Sequence, residues 1–186
     1  MKFICIVISF LLIGCASLDN TQTERITYKE YESQINKEKF SNLSLSAKIT
    51  LFIEKKGFTG KLIWSTQNNE SNISILNPFN STISKVYLNK ENNSLQISNL
   101  SNNKKEIESN IRKIFGNKET VFIIEQMIMN PPAQLTNTNL VTLTYKDWVI
   151  NYEGIKSKGE ESFPKYIELN KNEITLKIYI VDWKID

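Results

Sequence analysis

The sequence predicts a mainly β chain with a few helices, folded as a curved antiparallel sheet or barrel with the helices packed inside or across it. Three observations lead there. Apolar residues recur at every second position over most of the chain. Short turns rich in Asn, Lys and Gly separate these runs, which favours antiparallel pairing of successive strands. Helical spacing is confined to one segment near the start and two near the middle.

The elements follow in chain order. Residues 1–14, MKFICIVISFLLIG, carry one charge, Lys2, and an apolar run over residues 3–13. The run is too short to span a bilayer and has the form of a signal-peptide core. It ends in Leu12-Ile13-Gly14-Cys15, the pattern of a bacterial lipobox, whose cysteine is acylated and becomes the mature N-terminus. Cys15 is therefore the expected lipidation site; the alternative is a plain secretory signal in which it is incidental. Cys5 would leave with the signal, so the mature chain is expected to hold neither an internal disulfide nor a thiol catalyst. Ala16 rather than Asp follows the cysteine, which permits transfer to the outer membrane of a Gram-negative cell. Residues 15–25 read as the lipidated N-terminus and its tether, and residues 26–186 as one domain.

Ile26, Tyr28, Tyr31, Ile35 and Phe40 outline an imperfect amphipathic helix over residues 26–40. The period then changes to two. Leu45, Ala47, Ile49, Leu51 and Ile53 alternate with Ser46, Lys48, Thr50, Phe52 and Glu54, a strand with one buried face. Lys55-Lys56-Gly57 is the expected turn into a strand carrying Leu62 and Trp64, and Asn68-Asn69 the turn into Ile73 and Ile75. In ISILNPFNSTIS, Asn77, Pro78, Asn80 and Ser81 are turn formers that place Phe79 at the tip of a loop between two strands. Leaving that ring in water forgoes roughly 1.5–3 kcal/mol of burial, so it either folds back on the rim or meets something apolar.

Further strands are expected over residues 83–88 and 95–98, separated by Lys90-Glu91-Asn92-Asn93. Ile107, Ile111 and Ile114 share one face of a helix over residues 103–115 that Gly116 stops, and residues 120–129 form a more apolar helix ended by Pro131-Pro132. Val141, Leu143 and Tyr145 alternate, as do Trp148, Ile150 and Tyr152. EGIKSKGEES reads as a long polar loop, Pro164 introduces Ile167 and Leu169, and Lys171-Asn172 turns into Ile174, Leu176, Ile178 and Ile180.

Composition narrows function. The formal charge of +3 in 186 residues falls to +2 without Lys2, which argues for neither nucleic acid nor a polyanionic substrate. There is no His, the commonest general base and metal ligand at neutral pH. Glu160-Glu161 reads as solvated charge and Asp147 as a turn residue, and no Gly-x-Ser-x-Gly or other nucleophile arrangement is present. The expectation is a chain that is not an enzyme, with no cofactor and no metal site.

The residues also resemble a family. The order Leu62-Ile63-Trp64, Asn77-Pro78-Phe79, Trp148-Val149-Ile150-Asn151-Tyr152, Pro164, Leu176-Lys177-Ile178 and Trp183, placed after a lipobox, is similar to LolB, the outer-membrane receptors that take lipoproteins from the periplasmic carrier LolA. The resemblance covers residues 40–185. It implies an incompletely closed antiparallel β-barrel of about nine to eleven strands, with helices lidding a hydrophobic cavity. It implies a lipid-anchored monomer on the periplasmic face of the outer membrane, whose partners are a LolA-like carrier, acyl chains of substrate lipoproteins and membrane lipid. Phe79, with Pro78, falls at the family's membrane-inserting loop. Inward positions Ile49, Leu51, Leu62, Trp64, Ile73, Ile75, Trp148, Ile150 and Tyr152 are the cavity candidates. The sequence departs from the family at Asn80, where Gly is usual, and at Met127 and Asn130, where Trp and Gly are common. The rival is a scaffold lipoprotein with no lipid cavity.

Overall fold

The structure is a computed structural model that describes residues 23–35, 42–54, 56–99 and 105–185. The expected signal peptide, Cys15, residues 16–22 of the tether and Phe40 lie outside the described residues. Ten strands form one sheet: β1 (Thr23–Thr27), β2 (Asn42–Ile53), β3 (Lys56–Gln67), β4 (Glu70–Leu76), β5 (Thr82–Asn89), β6 (Ser94–Asn99), β7 (Leu140–Tyr145), β8 (Trp148–Lys158), β9 (Glu161–Lys171) and β10 (Ile174–Ile185). The helices are α1 (Tyr28–Glu32), α2 (Lys105–Phe115) and α3 (Lys118–Met129), followed by a 3₁₀ turn at Ala133–Thr136.

Alternation in the sequence becomes alternation in burial. On β2, Leu43, Leu45, Ala47, Ile49, Leu51 and Ile53 are all buried and the residues between them face outward. The tight turns place Glu54, Asn68, Lys146 and Asn172 at φ of 50–58°. Asn accepts this left-handed conformation more readily than most side chains because it is short and polar. These turns hold the strands in antiparallel register, with Leu45 opposite Trp64 and Trp64 opposite Ile73.

The order across the sheet is β1-β7-β8-β9-β10-β2-β3-β4-β5-β6. β1 and β6 are its margins and are not paired with each other, so the barrel is incompletely closed. The connection from β6 to β7, which contains α2 and α3, carries the chain from one half of the sheet to the other. The inward side chains of both halves form one apolar cluster with Ile111, Ile114, Val121, Ile124 and Ile128 of those helices.

Three expectations are corrected. Residues 23–27 form a strand rather than the end of a tether and the start of a helix: β1 pairs in parallel with β7, Ile26 opposite Leu143, and the helix that follows is only Tyr28–Glu32. The bonds to β7 outweigh a weak helical period. The long polar loop is a hairpin: β8 runs on to Lys158, turns at residues 159–160 and returns as β9. Its polar residues are satisfied across the strands, Ser157 with Ser162 and Lys158 with Asp182. Pro164 therefore sits inside β9, opposite Ile155, at a level where the pairing of β9 with β10 has already ended at Tyr166; its missing N–H breaks no bond there. Lys56 and Gly57 likewise belong to β3 rather than to the turn, and Lys55 lies outside the described residues.

Candidate functional site: an exposed aromatic loop and a helix-covered apolar interior

The loop at residues 77–81 is organised by one side chain. Asn77 Oδ1 accepts from the Phe79 N–H at 2.9 Å and the Ser81 N–H at 3.0 Å, while the Asn80 N–H donates to the Asn77 carbonyl at 3.0 Å. Asn77 N–H donates in turn to the Ser81 carbonyl at 2.9 Å, which closes the loop. Asn80 takes φ 62°, the left-handed conformation such a tight connection needs after its first turn. The result is that Phe79 is 87% exposed, the most open of the large apolar side chains described. At the loop's base β4 shifts register between Ile75 and Leu76. Gly60 permits this, because a Cβ there would lie 2.2 Å from the Leu76 carbonyl oxygen.

The nine inward candidates, Ile49, Leu51, Leu62, Trp64, Ile73, Ile75, Trp148, Ile150 and Tyr152, are brought together in the single buried cluster. Trp64 is 1% exposed, and its indole N–H finds no acceptor among the described residues. An unmet buried donor of this kind costs about 1–3 kcal/mol.

α3 covers this interior and is fastened on both sides of the open seam. Towards β4 and β5, Glu125, fully buried, accepts from Ser71 Oγ at 2.6 Å, and Lys90 Nζ lies 3.0 Å from its second oxygen, an ion pair outside hydrogen-bond geometry. Towards β1 and β8, the Tyr31 hydroxyl donates to the Asn130 carbonyl at 2.8 Å with the Gln126 carbonyl at 3.1 Å, and the Tyr152 hydroxyl donates to Met127 Sδ at 2.9 Å. Burial pushes both phenols up. At the first turn of α3, Lys118 reaches the Asn93 carbonyl and Glu119 pairs with Lys146 of the β7–β8 turn. Asn117 caps that turn through the Glu119 and Thr120 N–H groups. An open groove of about 710 Å³ runs beside it, between Leu88 and half-exposed Phe122.

An unpaired seam, a helix laid across it and an exposed aromatic loop now stand together. The family model for outer membrane lipoprotein LolB matches residues 41–183. The chain belongs to the LolB family. A relative, the outer-membrane lipoprotein LolB of Psychromonas ingrahamii, is 22% identical over 98% of this chain and 95% of its own length. LolB proteins are lipoprotein-localisation factors of the outer membrane.

Against the LolB pattern, the departures are accommodated locally. Asn80 occupies the left-handed position that Gly usually fills. Asn130 has φ −122°, which any residue can adopt, and its side chain donates to Gln126 at 3.2 Å. Met127 receives the Tyr152 hydroxyl. The sequence reasoning did not pick out Tyr31, Ser71, Lys90 and Glu125 as fasteners of α3. One signal was present: Glu125 is the only charged residue in the apolar run TVFIIEQMIM. Its partners, 54 and 35 residues away, could be supplied only by the fold. Asp147, read as a turn residue, lies in the β7–β8 turn and pairs with Lys171 at 3.3 Å. Among the described residues no helix is long and apolar enough to cross a membrane.

Proposed function

We propose that this chain, anchored through acylated Cys15 to the periplasmic face of the outer membrane, accepts lipoproteins from a LolA-like carrier and inserts them into that membrane without nucleotide. The observation that carries the reading is the pairing of an apolar interior covered by α3 with Phe79 held in solvent by its own loop. A triacylated lipoprotein carries some forty buried CH₂ groups, and wetting them would cost roughly 30 kcal/mol at about 0.8 each. A receptor must therefore keep the chains covered throughout. Direction needs only a somewhat better fit than the carrier offers, about 1.4 kcal/mol for a tenfold preference.

In this reading α3 moves away from Ile49, Leu51, Leu62, Trp64, Ile73, Ile75, Trp148, Ile150 and Tyr152, and the acyl chains take its place against them. The Trp64 N–H then has an acceptor in an acyl carbonyl. Phe79, backed by Pro78, enters the bilayer and passes the chains on. The scaffold alternative draws on the α3 side chains Val121, Ile124 and Ile128 being packed into that same cluster; in it they stay there.

The test mixes the chain from Ala16, which contains every described element, with LolA preloaded with a lipoprotein, and asks by pull-down which partner holds it afterwards. Movement onto this chain is expected, and Phe79→Glu should keep that acceptance while blocking delivery to liposomes. Retention by an active carrier would leave the scaffold reading in its place.

A further inference from the structure

We infer that the outer face of β2, β3 and β5 beside the Phe79 loop is a binding surface for anionic phospholipid headgroups, formed by Lys48, Lys61 and Lys85. The inference rests on the loop being the membrane-contacting element. Lys61 lies opposite Leu76, the last residue of β4 before the loop, and Lys48 lies opposite Lys61 on the next strand. With strands about 5 Å apart, the two lysines start roughly 5 and 10 Å from the loop's base. Lys85 faces outward on the strand that leaves the loop, opposite Ser74. Two ammonium groups directly across a strand pair repel each other and weaken the sheet, yet none of the three lysines has an ion pair among the described residues.

Among the described residues no carboxylate pairs with them; Asp182, opposite Ser46 on the strand beside Lys48, is taken by Lys158. Across β2 to β6 the strands hold one acid, Glu70, at the end away from the loop, where Tyr87 and Asn89 bind it. The opposite half of the sheet differs: Lys158 meets Asp182, Lys171 meets Asp147, and Lys177 meets Glu168. Apolar side chains accompany the unpaired lysines on the same face, Ile63 beside Lys61 and Tyr179 opposite Lys48, both partly exposed. Ammonium groups beside a Tyr ring and a protruding Phe match a bilayer surface, where headgroup phosphates are anionic and the boundary layer takes amphipathic rings. Uncompensated positive charge selects the anionic lipids among them.

The deciding experiment measures flotation of the chain from Ala16 with phosphatidylcholine vesicles, and with vesicles in which about a quarter of the lipid is phosphatidylglycerol. Binding should be tighter to the second and lose that advantage in molar salt, where screening is complete within a few ångströms. Lys48→Gln with Lys61→Gln and Lys85→Gln should weaken binding to the anionic vesicles on the order of a hundredfold, about fivefold for each lysine. Binding to neutral vesicles should be unchanged, and the thermal unfolding temperature should not fall, since the repulsion between Lys48 and Lys61 is relieved. Phe79→Glu should weaken binding to both vesicles, and if it alters neither, the loop reading fails while the lysine readout is still measured separately. The inference is overturned if the triple variant binds anionic vesicles like the parent, or loses neutral ones equally. It is also overturned if vesicle binding persists while acceptance from the carrier is lost, which would make this a surface for an acidic protein.

Discussion

Phe79 and Trp64 occupy the same sheet and have opposite surroundings. Trp64 faces Ile73 across β3 and β4; six residues beyond Ile73 comes Phe79. One ring is 1% exposed and the other 87%. Trp64 is held by packing from all sides, whereas Phe79 is held by polar bonds within its own loop, chiefly those to Asn77. Packing thus fixes the Trp64 ring itself, whereas local hydrogen bonding fixes the backbone that carries the Phe79 ring into water. Only the first yields stability from the ring itself, and the second leaves the ring available for a partner.

The comparison can be broken most severely at its buried end. Trp64→Ala should cost about 3–5 kcal/mol in urea unfolding, as large-to-small changes in cores do. Next comes the fastening of α3. Lys90→Met leaves the Glu125 carboxylate buried without its cation and should cost about 3 kcal/mol; adding Glu125→Gln should recover most of that, because the amide still meets Ser71. At the loop, Asn77→Ala removes the acceptor of two N–H groups and should cost about 1–2 kcal/mol, with faster amide exchange confined to residues 77–81. Phe79→Ala should change stability by less than about 0.5 kcal/mol, since the ring makes so little contact; a larger loss would show that it packs on the rim in solution.

Tyr31 supplies the pH dependence. Its phenol is raised by burial, so between the ordinary tyrosine value near 10 and the higher folded value the unfolded chain has lost a proton that the folded chain keeps. Stability contributed by the buried phenol is therefore complete below about pH 10 and declines as the pH rises above it. Tyr31→Phe should flatten the fall in melting temperature above pH 10, leaving the part that belongs to Tyr152.

Legibility followed the range of the interactions. The strands β2 to β6 were readable because a half-buried strand imposes a period of two, and Asn80 because a left-handed turn residue announces itself by type. The outer part of the β8–β9 hairpin, residues 153–162, was read as a loop because polar residues dominate it, Ser157 meeting Ser162 across the pair, which leaves no apolar alternation to see there. Glu125 was passed over because a lone acid in an apolar helix has meaning only beside its cation.

The sequence by itself determined the alternation that buries one face of each strand, the turn residues that join them, the order of motifs shared with the LolB family, and the expected anchor at Cys15. Those signals are local, carried by residues a few positions apart. Tertiary structure alone decided that β1 joins β7 in parallel, that the margins β1 and β6 stay unpaired, and that α3 is tied to both halves of the sheet by Glu125 and Tyr31. It also decided that the Phe79 ring stands in solvent and that Lys48 faces Lys61. The reason is physical: each of these is a balance between groups distant in sequence, and neither local propensity nor periodicity contains the separation between them.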